Sequence, residues 1–222
     1  MQGFTNSVTI KPMIKGVIFD LDGLLVDSEP INFEADAVLL SEFGVTYTKE
    51  NHKNVLGRSI IDGLNYFIDE FKLNISAPEM IEKRKRHQLA LIPKIKLMPG
   101  ALELLDYCLS KNYKLGLATS GFREYAETVL KKRAVKKYFP VVLTADDVVN
   151  GKPSPEIFEK IASALGLLPE ECLVLEDSLA GVNGALAAGC QVIAIPTKYA
   201  EGVVYPKEAL ARENLLEVKK DL

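Results

Sequence analysis

Short apolar runs alternate with amphipathic stretches over most of this chain. The apolar runs occupy residues 14–19, 114–118, 141–144, 172–175 and 191–195. Between them, the periodicity of amphipathic helices covers residues 101–111, 125–133, 155–165 and 179–188. Regular alternation of buried strands and helices is typical of a parallel sheet with helices on both faces. The pattern therefore predicts an α/β fold with a doubly wound, Rossmann-like parallel sheet.

Residues 30–96 interrupt this alternation. They carry helical periodicity at 31–43, 60–71 and 78–92 and no convincing strand. Proline or glycine stands at both ends of the segment, in Ser28-Glu29-Pro30 and in Leu97-Met98-Pro99-Gly100, as expected of hinges. We therefore expect a core domain made of residues 1–29 and 97–222, with an inserted all-helical cap domain at residues 30–96.

Composition and charge narrow the class of protein. The 222 residues are 48% hydrophobic, enough for a substantial core, and the net charge of -3 gives no general attraction to nucleic acid or anionic membranes. No stretch is long and apolar enough to span a bilayer. The three cysteines form no C-x-x-C pair and are expected in the core. We expect a cytoplasmic monomer that binds neither nucleic acid nor membranes.

Two carboxylates stand where the first predicted strand ends, in Asp20-Leu21-Asp22-Gly23. Two acids so close together can take different roles, because their environments need not match: one attacks as a carboxylate and the other transfers a proton. Attack on phosphorus is the leading candidate chemistry. The motif taken alone is ambiguous, since aspartate and glycine are also common in turns.

Three further polar groups stand near predicted element ends. Thr119-Ser120-Gly121 follows the strand at 114–118, and Glu176-Asp177-Ser178 follows the strand at 172–175. Gly151-Lys152-Pro153 precedes the helix at 155–165. Because the carboxyl ends of parallel strands share one edge of a sheet, these groups are expected to meet around one ligand. Acids, hydroxyls and a lysine together suit phosphoryl transfer.

In this order and spacing, the residues resemble the four motifs of the haloacid dehalogenase superfamily, in the branch that holds beta-phosphoglucomutase and small sugar- and nucleotide-phosphate phosphatases. The resemblance covers about residues 15–195. It implies a Rossmann-like core with a helical cap that closes over the site. It also implies Mg²⁺ as the cofactor and a small phosphorylated metabolite as the substrate, hydrolysed through an aspartyl-phosphate.

Asp20 is the predicted nucleophile, because a carboxylate can form an aspartyl-phosphate that divides one difficult displacement into two easier ones. A metal ligand without covalent chemistry is the alternative. Asp22 is the predicted acid and base, which protonates the leaving alcohol and later takes a proton from water. The resemblance implies the same two roles and adds the backbone carbonyl of Asp22 as a metal ligand.

The phosphoryl group is expected to contact four other positions. Thr119 and Ser120 supply hydroxyls to its oxygens, with Gly121 in the same substrate-binding loop. Lys152 screens the negative charge shared by nucleophile and phosphate. As structural alternatives, Thr119 would cap the following helix, and Lys152 would be a solvated surface charge.

Carboxylate oxygens after a buried strand favour magnesium over zinc. The predicted metal ligands are Asp20, Glu176 and Asp177, and the resemblance adds Asp22 through its backbone carbonyl. Asp177 is the firmer ligand of the last pair, while Glu176 is open to binding through water. The alternative for Asp177 is an N-cap on the helix that follows.

The cap is expected to choose the substrate. Arg58 is the predicted contact to a second polar or anionic part of it, although a plain surface arginine is equally open. The basic run at residues 83–87 lies within helical periodicity and is interpreted as a solvated helix face. His52 and His87 lack metal-ligand spacing and are expected at the surface.

A phosphosugar mutase is the alternative to a phosphatase. In beta-phosphoglucomutase a histidine after the first motif and an arginine in the cap loop gate the phospho-enzyme, and here Asn32 and Ile60 stand at the aligned positions. These departures favour hydrolysis of sugar phosphates or nucleotide-derived monophosphates.

Asp22, Glu176 and Asp177 argue against haloalkanoate dehalogenation, which needs no second acid and no magnesium. A phospho-accepting receiver or scaffold is the non-enzymatic alternative, which the helical insert disfavours.

Overall fold

The chain divides into two units, one of them formed by two separate stretches of sequence. The computed structural model describes residue 10 and residues 13–56, 60–200 and 202–222. One unit comprises Met1–Asp27 and Lys96–Leu222, and the other comprises Ser28–Ile95. The boundaries between the units therefore lie between residues 27 and 28 and between residues 95 and 96. The hinge residues in the sequence predicted them between residues 29 and 30 and between residues 96 and 97.

The larger unit is built on a parallel sheet. Its strands, numbered along the chain, are β1 (Gly16–Phe19), β2 (Val26–Asp27), β3 (Lys96–Leu97), β4 (Lys114–Ala118), β5 (Val141–Leu143), β6 (Cys172–Glu176), β7 (Gln191–Ala194) and β8 (Leu210–Ala211). Within the described residues, the main sheet has six strands in the order β5-β4-β1-β6-β7-β8, all parallel to their neighbours. Every residue of β1 and β6 is buried, as expected of central strands covered on both faces.

The helices divide between the two units. The smaller unit contains α1 (Glu29–Ser41), α2 (Lys49–Lys53), α3 (Ile60–Glu70) and α4 (Ala77–Leu91). The larger unit contains α5 (Ala101–Ser110), α6 (Arg123–Lys132), α7 (Glu156–Ala164) and α8 (Leu179–Ala187). The predicted α/β class with an all-helical insert is therefore confirmed.

Apolar side chains on both faces of the sheet hold the larger unit together. Ile18 and Val174 share one cluster with Phe158 of α7 and with residues of α8. Successive residues of a strand point to opposite faces, so Phe19 lies on the other side, where its ring meets Phe139 edge to face at 5.7 Å. All three cysteines are buried and free, which confirms their expected place in the core.

Short elements escaped the sequence pattern. The antiparallel pair of β2 and β3 joins the two points where the chain leaves and re-enters the larger unit. The strand at Lys96–Leu97 was not predicted, because two residues are too few to show a period. The strand β8 also has two residues and was missed for the same reason. The helix α2 was missed because it is short and buries none of its five residues.

The smaller unit has its own apolar core. Leu39 and Leu40 of α1 pack with Leu64 and Phe67 of α3 and with Met80 of α4. The start of α4 is fixed by a capping box, in which Ser76 and Glu79 each accept a hydrogen bond from the other's backbone N–H.

Two expectations for this unit were wrong. Arg84, placed by sequence on a solvated face, is buried, and its Nε donates to Asp36 Oδ1 at 2.7 Å. His52, expected at the surface, has a side chain only 12% exposed. Its Nε2 lies 2.6 Å from Glu29 Oε1, and its Nδ1 lies 2.9 Å from the Tyr47 hydroxyl. Polar side chains can enter a small helical core when such partners meet them.

Among the described residues, none of the helices has the length and apolar character needed to cross a membrane.

Candidate active site

The three central strands of the sheet end side by side. Phe19 of β1 is in register with Leu117 of β4 and Leu175 of β6. The next residue, Asp20, donates its N–H to Leu175 O at 3.1 Å, and Thr119 donates its N–H to Leu143 O at 3.0 Å. The polar residues that follow each strand therefore emerge at one edge of the sheet, as the parallel topology predicted.

Lys152 brings a positive charge to this edge of the sheet. Its side chain is only 4% exposed, so the surface-charge alternative does not hold. Its Nζ donates to Asp20 Oδ1 at 2.6 Å, to Glu176 Oε1 at 2.5 Å and to Ala118 O at 3.0 Å. The three hydrogens of the ammonium thus have three acceptors, which makes its burial possible. Burial would lower the pKa of Lys152, but the Asp20 and Glu176 carboxylates outweigh it and raise that pKa.

Carboxylates outnumber cations at this position. One oxygen from each of Asp20, Glu176 and Asp177 lies within 4.8 Å of the others. Burial raises the pKa of both Asp20 and Asp177, and the negative charges of the neighbouring acids raise it further, against the opposing effect of Lys152. A cluster of hard oxygen donors with excess negative charge is suited to a divalent cation.

Glu176 is fully buried and held at both carboxylate oxygens. Oε1 accepts from Lys152, while Oε2 accepts from the backbone N–H of Ser178 at 3.0 Å and from its hydroxyl at 2.9 Å. Gly181 of α8 leaves room for this carboxylate, since a Cβ there would overlap it. Ser178, and not Asp177, is the N-cap of α8, because its hydroxyl accepts from the Gly181 N–H at 3.0 Å.

A glycine brings Asp177 against the first motif. Gly23 turns the chain after Asp22 with a φ of 81°, in the left-handed region that favours glycine. A Cβ on Gly23 would overlap the Asp177 carboxylate. The backbone carbonyl of Asp177 in turn accepts a hydrogen bond from the Tyr205 hydroxyl.

The structure adds a tyrosine that sequence reasoning missed. The hydroxyl of Tyr125 donates to Asp22 Oδ1 at 2.6 Å, across 103 positions of sequence. Tyr125 lies in the first turn of α6 and is 1% exposed. The sequence carried only a weak signal for it: a tyrosine at the start of a helix that follows the second motif.

The second motif forms a tight turn. Thr119 is 1% exposed, and its Oγ1 accepts from the Gly121 N–H at 2.9 Å. Ser120 is exposed and Gly121 is buried. The cap alternative for Thr119 does not hold, because Phe122 is the N-cap of α6.

Two further acids form local hydrogen bonds. Asp146 Oδ2 accepts from the Arg123 N–H at 2.9 Å, and Asp147 Oδ2 accepts from the Thr144 N–H at 2.7 Å. Arg58 lies outside the described residues.

Known proteins are similar to this chain in sequence and in fold. A family model of haloacid dehalogenase-like hydrolases matches residues 17–195. A phosphorylated carbohydrates phosphatase of Thermotoga maritima is 36% identical over 182 residues, 81% of this chain and 84% of that protein. A probable pseudouridine-5′-phosphatase of Drosophila melanogaster is 34% identical over 81% of this chain and 80% of its own length. The crystal structure of CbbY from Rhodobacter sphaeroides in complex with phosphate matches with a TM-score of 0.85 and 23% identity, over 93% of this chain and 96% of that chain.

The family model and the two phosphatase relatives show the class of protein, which is a hydrolase that acts at phosphorus. The crystal structure of a putative beta-phosphoglucomutase from Thermotoga maritima is 30% identical, with a TM-score of 0.77, over 94% of this chain and 100% of that chain. This chain therefore belongs to the haloacid dehalogenase-like hydrolase family, in the branch of beta-phosphoglucomutase-like proteins and small phosphatases, and is a phosphoric monoester hydrolase.

Proposed function

We propose that this chain is a magnesium-dependent phosphatase of small phosphomonoesters that works through a phosphorylated Asp20. The observation that carries the proposal is the edge cluster, in which the carboxylates of Asp20, Glu176 and Asp177 gather beside one buried lysine. The names of the carbohydrate-phosphate and pseudouridine-5′-phosphate relatives support sugar phosphates and nucleotide-derived monophosphates as substrate classes.

The donor set fits Mg²⁺. Asp20 and Asp177 offer carboxylate oxygens, and Asp22 offers its backbone carbonyl, all of them hard ligands. Both oxygens of Glu176 already accept hydrogen bonds, from Lys152 and Ser178, which favours contact of Glu176 with the cation through water. A bound Mg²⁺ would supply positive charge that stabilises the ionised carboxylates and the phosphoryl oxygens.

Asp20 and Asp22 divide the chemistry. A carboxylate oxygen of Asp20 attacks phosphorus, the bond from phosphorus to the ester oxygen breaks, and Asp22 gives its proton to the leaving alcohol. Water then attacks the aspartyl-phosphate, the bond to Asp20 breaks, and Asp22 takes a proton from the water. The two steps together consume one ester and one water and release alcohol and phosphate.

The surrounding groups hold the phosphoryl group. Lys152 keeps its charge next to Asp20, which favours attack by the ionised carboxylate and screens the incoming phosphate. The Thr119 hydroxyl accepts from Gly121 and can donate its own hydrogen to a phosphoryl oxygen. Ser120 is exposed beside it and supplies a second hydroxyl. Arg58 stays a predicted contact to the rest of the substrate.

Hydrolysis is favoured over phosphosugar transfer. Asn32 carries an amide, whose Oδ1 accepts from Gln88 Nε2 at 2.9 Å, and an amide cannot take up the proton that an imidazole could. Ile60 is apolar and cannot contact a phosphate as an arginine does. Water is therefore the expected acceptor of the phosphoryl group from Asp20.

A substrate panel tests the proposal. Phosphate release is measured with sugar phosphates and nucleoside monophosphates, with Mg²⁺ and with a chelator, and beta-glucose 1-phosphate is included with its bisphosphate activator. We expect phosphate release that requires Mg²⁺. Formation of glucose 6-phosphate without net phosphate release would instead make the protein a mutase. Turnover that is unchanged by the chelator would remove the metal from the mechanism.

A further inference from the structure

A tyrosine reaches the acid beside the nucleophile. Tyr125 is almost fully buried, and its hydroxyl donates to Asp22 Oδ1 at 2.6 Å. A buried tyrosine hydroxyl needs a partner, and here the partner is the residue to which the proposed function gives proton transfer. The bond is short, as is usual when a hydroxyl donates to a carboxylate.

The ring that carries this hydroxyl is held in place by close packing. A Cβ built on Gly121 would lie 3.1 Å from Cδ1 of Tyr125 and 3.3 Å from Oγ1 of Thr119, so the ring packs closely against the Thr119 turn. The Phe122 ring lies beside it, with 5.8 Å between ring centroids. Tyr125 is thus fixed by the same turn that presents Thr119 to the phosphoryl group.

Proton transfer depends on which carboxyl oxygen faces the reacting atoms. The last torsion of an aspartate is broad and roughly two-fold, so nothing within the side chain itself selects one oxygen. A hydrogen bond to Oδ1 makes that selection. We propose that Tyr125 is a positioning residue of the phosphatase, whose hydroxyl holds Oδ1 of Asp22 so that Oδ2 carries the proton.

The inference rests on the proposed function, and the protons balance within it. As the bond between phosphorus and the alcohol breaks, the proton on Oδ2 of Asp22 moves to the leaving oxygen. Tyr125 keeps its own proton and hydrogen-bonds the carboxylate that results. When water attacks the phosphorylated Asp20, a proton of that water returns to Oδ2.

The chain contains a matched control. Tyr138 is also buried, and its hydroxyl donates to Asp106 Oδ1 at the same distance of 2.6 Å. Tyr125→Phe and Tyr138→Phe therefore remove the same kind of bond and keep the same ring. A loss of stability common to both variants measures the structural role of such a bond.

The test compares leaving groups. kcat/KM is measured with Mg²⁺ for a series of phosphomonoesters, from p-nitrophenyl phosphate, whose phenolate leaves without a proton, to alkyl and sugar phosphates, whose alkoxides need one. For Tyr125→Phe we expect a loss of roughly ten- to hundred-fold on the alkyl esters and little change on the aryl ester. Tyr138→Phe should keep the wild-type dependence on the leaving group.

A double-mutant cycle checks that Tyr125 acts through Asp22. In an Asp22→Asn background, adding Tyr125→Phe should cause no further loss on the alkyl esters. Equal losses on aryl and alkyl esters, or a full additional loss in the Asp22→Asn background, would overturn the positioning role alone. A wild-type protein that hydrolyses none of the esters would overturn the proposed function itself, and this inference with it.

Discussion

A lysine side chain is usually solvated, yet that of Lys152 is 4% exposed. Its burial is possible because two carboxylates and one carbonyl accept its three hydrogens. Glu176 is buried with it, and within the hydrogen bonds described for this cluster Lys152 is its partner of opposite charge, since Ser178 is neutral. Glu176 therefore depends on Lys152 for charge compensation, so Lys152 contributes to the fold as well as to the proposed chemistry.

Replacing this lysine should affect stability and activity together. Lys152→Met leaves the buried Asp20 and Glu176 without their counter-charge, which should cost about 3–5 kcal/mol of unfolding free energy in urea. Activity should fall by at least about a hundred-fold, since a charge aimed at the phosphoryl group is lost. Lys160→Met is the control, because Lys160 forms a half-exposed pair with Glu156, and it should cost at most about 1 kcal/mol. Similar stability losses in both variants would contradict the account.

At the scale of elements, the start of α8 is shaped around a side chain. Ser178 caps the helix and its hydroxyl also donates to Glu176 Oε2. One side chain therefore both begins the helix and holds the carboxylate at the end of β6. Gly181 then brings the helix backbone close to the same carboxylate. The backbone of Gly181 is helical, which any residue can adopt. Glycine is therefore required at this position by the close approach to Glu176 and not by its backbone angles.

Two helical glycines should respond in opposite ways to alanine. Gly181→Ala places a methyl group on the Glu176 carboxylate, and we expect a loss of about 1–3 kcal/mol together with reduced activity. Gly63 lies in α3, where a Cβ would be in ordinary contact with Val55 at 3.7 Å. Gly63→Ala should therefore gain about 0.5–1 kcal/mol from helix propensity. Chemical denaturation measures both, and a stabilised Gly181→Ala would contradict the packing described for α8.

How far the elements could be predicted depended on their length. The strand at 114–118 and the helix α7, which follows Gly151-Lys152-Pro153, were predicted because their patterns repeat several times. The strands β2 and β3 have two residues each and leave no period to detect. The buried Arg84 was missed for another reason: its partner Asp36 lies 48 positions away, and no local pattern reports such a pair.

At the scale of the whole molecule, the site is assembled from distant parts of the sequence. Lys152 and Asp20 are 132 positions apart and yet lie at 2.6 Å. The motifs could be grouped from sequence because parallel strands end at one edge of a sheet. The contact of Tyr125 with Asp22 could not, since it depends on how α6 packs and on the turn at Gly121. How Arg58 contributes stays a prediction.

Binding of Mg²⁺ should stabilise the folded protein, because a ligand that binds only the native state adds to its unfolding free energy. At about a hundred times the dissociation constant the gain is about 2.7 kcal/mol, which should raise the Tm by several degrees relative to a chelator. Asp177→Asn should lose most of this shift. Asp106→Asn, away from the cluster, should keep it, and an equal shift in both variants would place the cation elsewhere.

Trapping the phosphorylated enzyme tests the central claim most directly. Wild-type protein, Asp20→Asn and the control Asp106→Asn are mixed with substrate and Mg²⁺, quenched in acid within the first turnover, digested and analysed by mass spectrometry, with phosphate release followed in parallel. We expect one phosphoryl group on Asp20 in the wild type and in Asp106→Asn, and neither label nor turnover in Asp20→Asn. A phosphoryl group on another residue, or phosphate release by Asp20→Asn at the wild-type rate, would contradict Asp20 as the nucleophile.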